Sequence, residues 1–407
     1  MQIRPDRLIA DLRQLAKIGK YEAGVHRPAF SDADMAAREW LRDKMTEAGL
    51  SAGIDGCGNV YGMMPSVEKA ALVGSHSDTV PHGGWLDGSL GVIYGLEIAR
   101  CFLERGHNGI GVDVISFQDE EGTYLALFGS RSFCSEDVQH DAAKAMNKDG
   151  QSLKRAVAEA GLDGRALARL DLNRHLAYFE AHIEQGPRLE RSGLKIGVVT
   201  AIVGIKTFQI VFLGQADHAG TTPMSMRHDA GSAALKFGAS ISEWVRERGG
   251  PETVWNVGSA AFKPGASNVV PSEAGLVFQM RDSSASVLND LERIVFAKAR
   301  ECAQFYNVDV KIERTLDTQP AEMHPELAKL IEQAASETRA VPLLMPSGAG
   351  HDAMVMAKHL PSAMLFVPSI GGRSHHVSED THEGDIIVGA QVLLRAVEQF
   401  ARNSNRN

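Results

Sequence analysis

Three segments in the first third of the chain leave few folds open. "KAALVGSHSD" (69–78) is a short apolar run ending in polar residues. "SLGVIYGLEIARCFLERG" (89–106) is apolar most of the way round a helical wheel, and "GVDVISFQDEEG" (111–122) is a second apolar run, ending in acids. Strands without polar alternation are buried on both faces, and a helix apolar all round lies beneath a sheet, so the three predict an α/β domain with a largely parallel central sheet. Ahead of them, "SDADMAAREWLRDKMTEAGL" predicts a helix. Ser31 is its N-cap, Asp34 completes a capping box, Ala37, Leu41, Met45 and Ala48 form a stripe, and Gly49 supplies the stop.

The texture changes near Val203. "KTFQIVFLGQADHAG" alternates apolar and polar residues, as a half-exposed antiparallel strand does. A helix over about 230–248, the strands "ETVWNVGSAAF" and "EAGLVFQMRDS", a helix over about 287–306 and the strand "VDVKIERT" follow. This β-α-β-β-α-β order predicts a ferredoxin-like α+β domain. The first texture then returns, through "PSAMLFVPSI" to a closing helix. One domain, residues 1–202 with 317–407, is thus expected to carry another, residues 203–316, as an insertion. A chain of 407 residues exceeds what one core usually supports.

A formal net charge of −9 and the lack of any basic run argue against a nucleic-acid or anionic-membrane partner. The four cysteines lie far apart with no C-x-x-C pair, which fits reduced, buried thiols and a cytoplasmic location better than a disulfide framework or a thiolate zinc site. The start, with Leu8, Leu12 and Leu15 at helical spacing among charges, lacks a signal-peptide apolar core, and no apolar stretch is long enough to span a bilayer.

Metal-type ligands concentrate in five places: His76/Asp78/His82/Asp87, Asp119/Glu120/Glu121, "EAHIEQGP" around His182, "GAGHDA" at His351, and "SHHVSEDTHEGD" at His375/His376. A lone histidine is ordinarily a satisfied core or surface residue, and adjacent acids are ordinarily solvated. Position changes the balance. Ligands of α/β sheets gather beyond the carboxyl ends of strands, and adjacent acids there repel one another and are costly to desolvate unless a cation joins them. Imidazole and carboxylate donors without thiolate suit zinc, manganese, cobalt or nickel.

His76-x-Asp78, then Asp87 in "GGWLDGSLGV", then "DEEG" resemble the co-catalytic metallo-aminoacylase and aminopeptidase clan. "AHIEQGPRLE", "ADHAGTTPMSMRHDA", "SNVVPSEAGLVFQMRD", "SGAGHDA" and "GGRSHHVSEDT" resemble its hydantoinase/carbamoylase branch, which holds N-carbamoyl-L-amino acid hydrolases, allantoate amidohydrolases and β-ureidopropionases. The resemblance implies a metallopeptidase-like catalytic domain and an inserted lid and dimerisation domain. It implies two divalent metal ions per subunit, Zn2+ or Mn2+, Co2+ or Ni2+, and a homodimer paired through the lid. His76 and His182 would each hold a metal, bridged by Asp87, with Glu121 completing one shell and His375 the other. Glu120 would be the general base, and Asp78 would orient His76 as a carboxylate behind the ligand. Gln185, His218, Asn268, Arg281 and the Gly350 backbone would bind substrate, with His218 also donating to the oxyanion. The implied activity is hydrolysis of an N-carbamoyl (ureido) amino acid, a small-molecule substrate; the alternatives are allantoate hydrolysis and an aminoacylase or dipeptidase reaction. Three departures stand out: Ser77 inside the H-x-D motif, Trp85 before the bridging Asp, and no proline after His375. The Gly-Gly-Arg-Ser register favours His375 over His376 as the ligand.

Overall fold

In the computed structural model, which describes residues 1–106 and 109–404, the apolar runs pair as parallel strands Lys69–His76 and Ile110–Phe117, with His76 opposite Phe117. His175–Ile183 pairs in parallel on the other side of Lys69–His76, and Ser362–Val367 continues the parallel set beyond it. Antiparallel strands flank these four: Val60–Met63 and Ser51–Ile54 on one side, Ile196–Ile202 on the other. The sheet is mixed at its margins and parallel at its centre. Every residue of Ile110–Phe117 is buried, as the absence of polar alternation requires.

The helix Ser89–Arg105 is buried continuously from Ser89 to Phe102. Closing helix Glu383–Ser404 adds Leu393, Leu394 and Val397 to the same core. Fully burying an aliphatic side chain of this size contributes ~2 kcal/mol, so the core depends on many such residues and not on one. The predicted helix runs Asp32–Glu47, with Ser31 Oγ accepting the Asp34 amide at 3.2 Å. The reciprocal half of the capping box differs: the Asp34 carboxylate accepts the amide of Phe30 at 2.8 Å, while the Ser31 amide bonds to the Pro28 carbonyl. All four cysteines are buried and unbridged. No helix among the described residues is long and apolar enough to cross a membrane.

The chain divides into two compact units, Met1–Thr200 with the segment from Glu322 onward, and Ala201–Ala321. The second unit is a four-stranded antiparallel sheet in the order Val254–Lys263, Glu273–Asp282, Gly204–Leu213, Asp309–Thr318. Helix Ala230–Arg248 joins Gly204–Leu213 to Val254–Lys263 and helix Ala285–Phe305 joins Glu273–Asp282 to Asp309–Thr318, each crossing one intervening strand. This is the ferredoxin-like arrangement that the element order predicts. Phe208, Ile210, Phe212, Phe278 and Met280 alternate along their strands and share one core with Phe237, Trp244 and Leu291 of the helices.

Candidate metal centre

Because the four central strands run in one direction, the segments that leave their carboxyl ends meet at one edge of the sheet. His76 is the last residue of its strand, Glu120 and Glu121 follow Phe117, His182 is the penultimate residue of its strand, and His375 lies on the connection after Val367. Asp87, on the loop entering Ser89–Arg105, stands among them. Its Oδ1 lies 3.1 Å from His182 Nε2 and 3.4 Å from His76 Nε2. Its Oδ2 lies 3.4 Å from His375 Nε2, which is 3.5 Å from Glu121 Oε2.

Donor atoms within 4.8 Å of one another therefore form the groups His76/Asp87/His182 and Asp87/Glu121/His375, with His76/Glu120/Glu121 as a third. The expected bridging place of Asp87 is the one residue common to the first two groups. Around Asp87, Glu121 and His375 lie on the side of one carboxylate oxygen, and the two histidines His76 and His182 on the side of the other. The reason is the sheet. His76 and His182 end adjacent parallel strands and must point to the same place.

Backbone contacts aim the imidazoles. His76 Nδ1 lies 3.0 Å from the Asp78 carbonyl oxygen and His182 Nδ1 lies 2.9 Å from that of Ile183. Each carbonyl accepts the Nδ1–H hydrogen bond and so turns the ring to set Nε2 towards Asp87. Asp78 thus acts on His76 through its main chain. Its carboxylate, 3.8 Å from the ring, instead meets Arg38 at 3.4 Å and accepts the Glu121 amide at 3.3 Å. Arg38 is fully buried and also meets Asp34 at 3.0 Å and the carbonyls of Gly58 and Phe117. Removing one member would leave an uncompensated buried charge.

The bridging loop is held by a residue that sequence reasoning missed. Glu379 Oε1 accepts the amides of Leu86 and Asp87, and Ser374 Oγ lies 2.9 Å from its Oε2 and 3.0 Å from Asp87 Oδ2. Gly84 and Gly88 permit close approach, and Gly88 also adopts a left-handed backbone (φ 62°). A Cβ at Gly84 would fall within 1.9 Å of the Glu379 carboxyl, and one at Gly88 within 2.5 Å of the His76 ring.

The electrostatics ask for cations. Burial, reinforced by Asp87, pushes Glu121 up to about 8. Burial also lifts Glu120 well above the usual carboxylate range, with Glu121 and Asp352 adding to it against the opposing His76. Burial disfavours charge on His76, yet Glu120, Asp87 and Asp78 outweigh it and raise its pKa. Glu121 Oε1 is buried without a hydrogen-bond partner. An imidazole and carboxylate set that lacks thiolate, crowds its acids and leaves one oxygen orphaned fits divalent transition metals.

Gln185 joins the centre: its Nε2 lies 3.0 Å from Asp87 Oδ2, while its buried Oε1 has no partner. Gly350 stands beside the cavity that Gln185, Ala349, Ser374 and His375 line. His351 is buried with its ring centroid 4.5 Å from that of His182 and its Nε2 2.9 Å from Ser347 Oγ. Burial and His182 hold it well below the ordinary imidazole range, so it stays neutral.

Other members of the clusters lie outside the donor groups. His82 is exposed and stacks on Tyr21 at 4.1 Å. Asp119 accepts the amides of Tyr124 and Leu125 and shapes the loop. His376 Nδ1 lies 2.8 Å from Ser378 Oγ. Trp85 packs on the large core and is not among the residues lining that cavity.

Three remaining residues lie in the second unit. His218 is bridged to Val269, and the Ala219 amide donates to the Asn268 carbonyl, so His218 and Asn268 sit on neighbouring segments. His218 Nδ1 accepts the amides of Gly220 and Thr221, which leaves Nε2–H as its outward donor. Arg281 is paired opposite Val254 and Ile205, with Nε donating to Gln279 Oε1 at 3.0 Å.

Peptidase family M20/M25/M40 matches residues 72–399. An N-carbamoyl-L-amino acid amidohydrolase of Geobacillus stearothermophilus is 35% identical over 98% of this chain and 99% of its own length. The allantoate amidohydrolase of Escherichia coli is 30% identical over 93% of each chain. The crystal structure of an amidase (hydantoinase/carbamoylase family) from Burkholderia phymatum superposes with a TM-score of 0.93 at 44% identity, covering 99% of this chain and 98% of that one. A parallel sheet whose ends carry these donors, and likeness along nearly the whole length, agree: the chain belongs to peptidase family M20/M25/M40, among its hydantoinase/carbamoylase amidases.

Proposed function

We propose that the protein hydrolyses the C–N bond of an N-carbamoyl amino acid, giving the amino acid, ammonia and carbon dioxide. The observation that carries this reading is the pair of donor triads sharing Asp87, with Glu120 beside them, 3.6 Å from His76 Nε2. Divalent cations bound by His76, His182, Asp87, Glu121 and His375 would bring the pKa of a water towards neutrality and polarise the ureido carbonyl. Glu120 takes the proton of the attacking water and returns it to the leaving nitrogen. His218 Nε2–H serves the developing oxyanion, and the planar guanidinium of Arg281 suits the substrate carboxylate. Release of ammonia from N-carbamoyl-L-amino acids by the metal-loaded protein, compared with allantoate and dipeptides, tests the reading. Turnover of dipeptides alone would overturn it. Allantoate is the second reading, favoured by the Escherichia coli relative.

The second unit acts in this reading as lid and dimerisation element. Its outer strand Val254–Lys263 is paired on one side only and largely exposed, the kind of edge that a two-fold related copy can cover. His218 then reaches the site of the other subunit. A 1:1 mixture of inactive Glu120→Gln and inactive His218→Ala chains should recover about a quarter of wild-type activity, since half the dimers carry one intact site. No recovery after verified subunit exchange would place His218 in its own chain's site.

A further inference from the structure

A cavity of about 550 Å³ opens beside the donor groups, lined by Gln185, Ala349 and residues 372–376. Its one permanently charged lining group is Arg373; no carboxylate lines it. The guanidinium donates from Nη1 to Ser378 Oγ at 2.7 Å, and among the described residues it has no acidic partner. Most of its five N–H donors therefore remain for a ligand.

The chain fixes it there. Gly371 and Gly372 both adopt left-handed conformations (φ 65° and 64°). The Gly371 amide is clamped by the Glu190 carboxylate at 2.9 and 3.0 Å. A Cβ on Gly372 would lie 2.8 Å from Pro187. One residue after Arg373, Ser374 is tied to Asp87 and Glu379, and one further on His375 reaches the donor group. The segment that places a metal-type donor thus also places a cation, two residues earlier, at the cavity wall.

We propose that Arg373 is a specificity-determining residue: it binds a second anionic group of the substrate, an acidic side chain on the N-carbamoyl amino acid, distinct from the carboxylate assigned to Arg281. This rests on the hydrolase reading above. A guanidinium, here exposed at the cavity wall on a backbone held in place, can form two parallel charge-assisted hydrogen bonds to a carboxylate. An amide of equal size offers one acceptor oxygen and no charge, and an aliphatic group would desolvate the cation for nothing.

The test compares N-carbamoyl-L-aspartate with N-carbamoyl-L-asparagine. The wild-type holoenzyme is expected to favour the acid in kcat/KM. In Arg373→Met the acid-to-amide ratio falls about 10- to 100-fold, mainly through KM, and Arg373→Lys recovers part of it. A wild-type preference for the amide, or an unchanged ratio in Arg373→Met, as would follow if Arg373 served the carboxylate common to both compounds, overturns the proposal. Calorimetric titration of the Glu120→Gln protein with N-carbamoyl-L-aspartate, with and without Arg373→Met, reads binding apart from turnover. If wild type hydrolyses neither compound, the hydrolase reading fails for these substrates, and the titration, repeated with N-carbamoyl-L-asparagine, still decides: about tenfold weaker binding of the acid alone without Arg373 supports its role, and an equal loss for both compounds or no loss overturns it.

Discussion

Replacing Glu120 by Gln is expected to lower turnover by about 10²–10⁴-fold while the protein keeps its full complement of metal. The substitution preserves shape but replaces a basic carboxylate with a neutral amide that does not take up a proton. The surroundings of Glu120 make this a sharp test, because it also belongs to a donor group with His76 and Glu121. As a base, Glu120 can be lost without disturbing the triads that share Asp87. As a ligand, its loss would lower metal content and turnover together. Elemental analysis alongside ammonia release separates the two, and near-normal turnover would place the base elsewhere.

Replacing Asp87 by Ala is expected to have the wider effect on metal: content should fall from about two equivalents per chain to near zero, and activity with it. Asp87 belongs to both triads, with one carboxylate oxygen towards His76 and His182 and the other towards His375. His375→Ala removes a donor from only one triad, so it should retain about one equivalent. Unchanged metal in Asp87→Ala would overturn the bridging assignment. The Asp87 substitution is not expected to unfold the domain, since the loop stays tied through its own amides to Glu379.

Much of this was legible in the chain. The mainly apolar runs at 69–76 and 110–117, without polar alternation, read as doubly covered strands, and the alternation along 204–213 and 273–282 reads as half-covered ones. The order of elements alone predicts the ferredoxin-like unit. Donor chemistry likewise marked five clusters of imidazoles and acids, and the family resemblance singled out His76, Asp87, Glu121, His182 and His375 within them.

What the sequence left open was decided by contacts far apart in the chain. Nothing local separates His82 from His76. The first turns outward to stack on Tyr21, whereas the second ends a strand beside His182. The partition of the donors around Asp87 follows from adjacency of parallel strands, which no local pattern encodes. Arg38 sits beside the apolar stripe of its helix, where an arginine usually reaches solvent, yet it is buried beneath Asp78. Glu379 holds the Asp87 loop across 292 positions of sequence. Periodicity and residue chemistry fix which face of a segment is buried and which side chains can donate. The partner each donor meets depends on the order of strands in the sheet, and that order is set by packing the whole core at once.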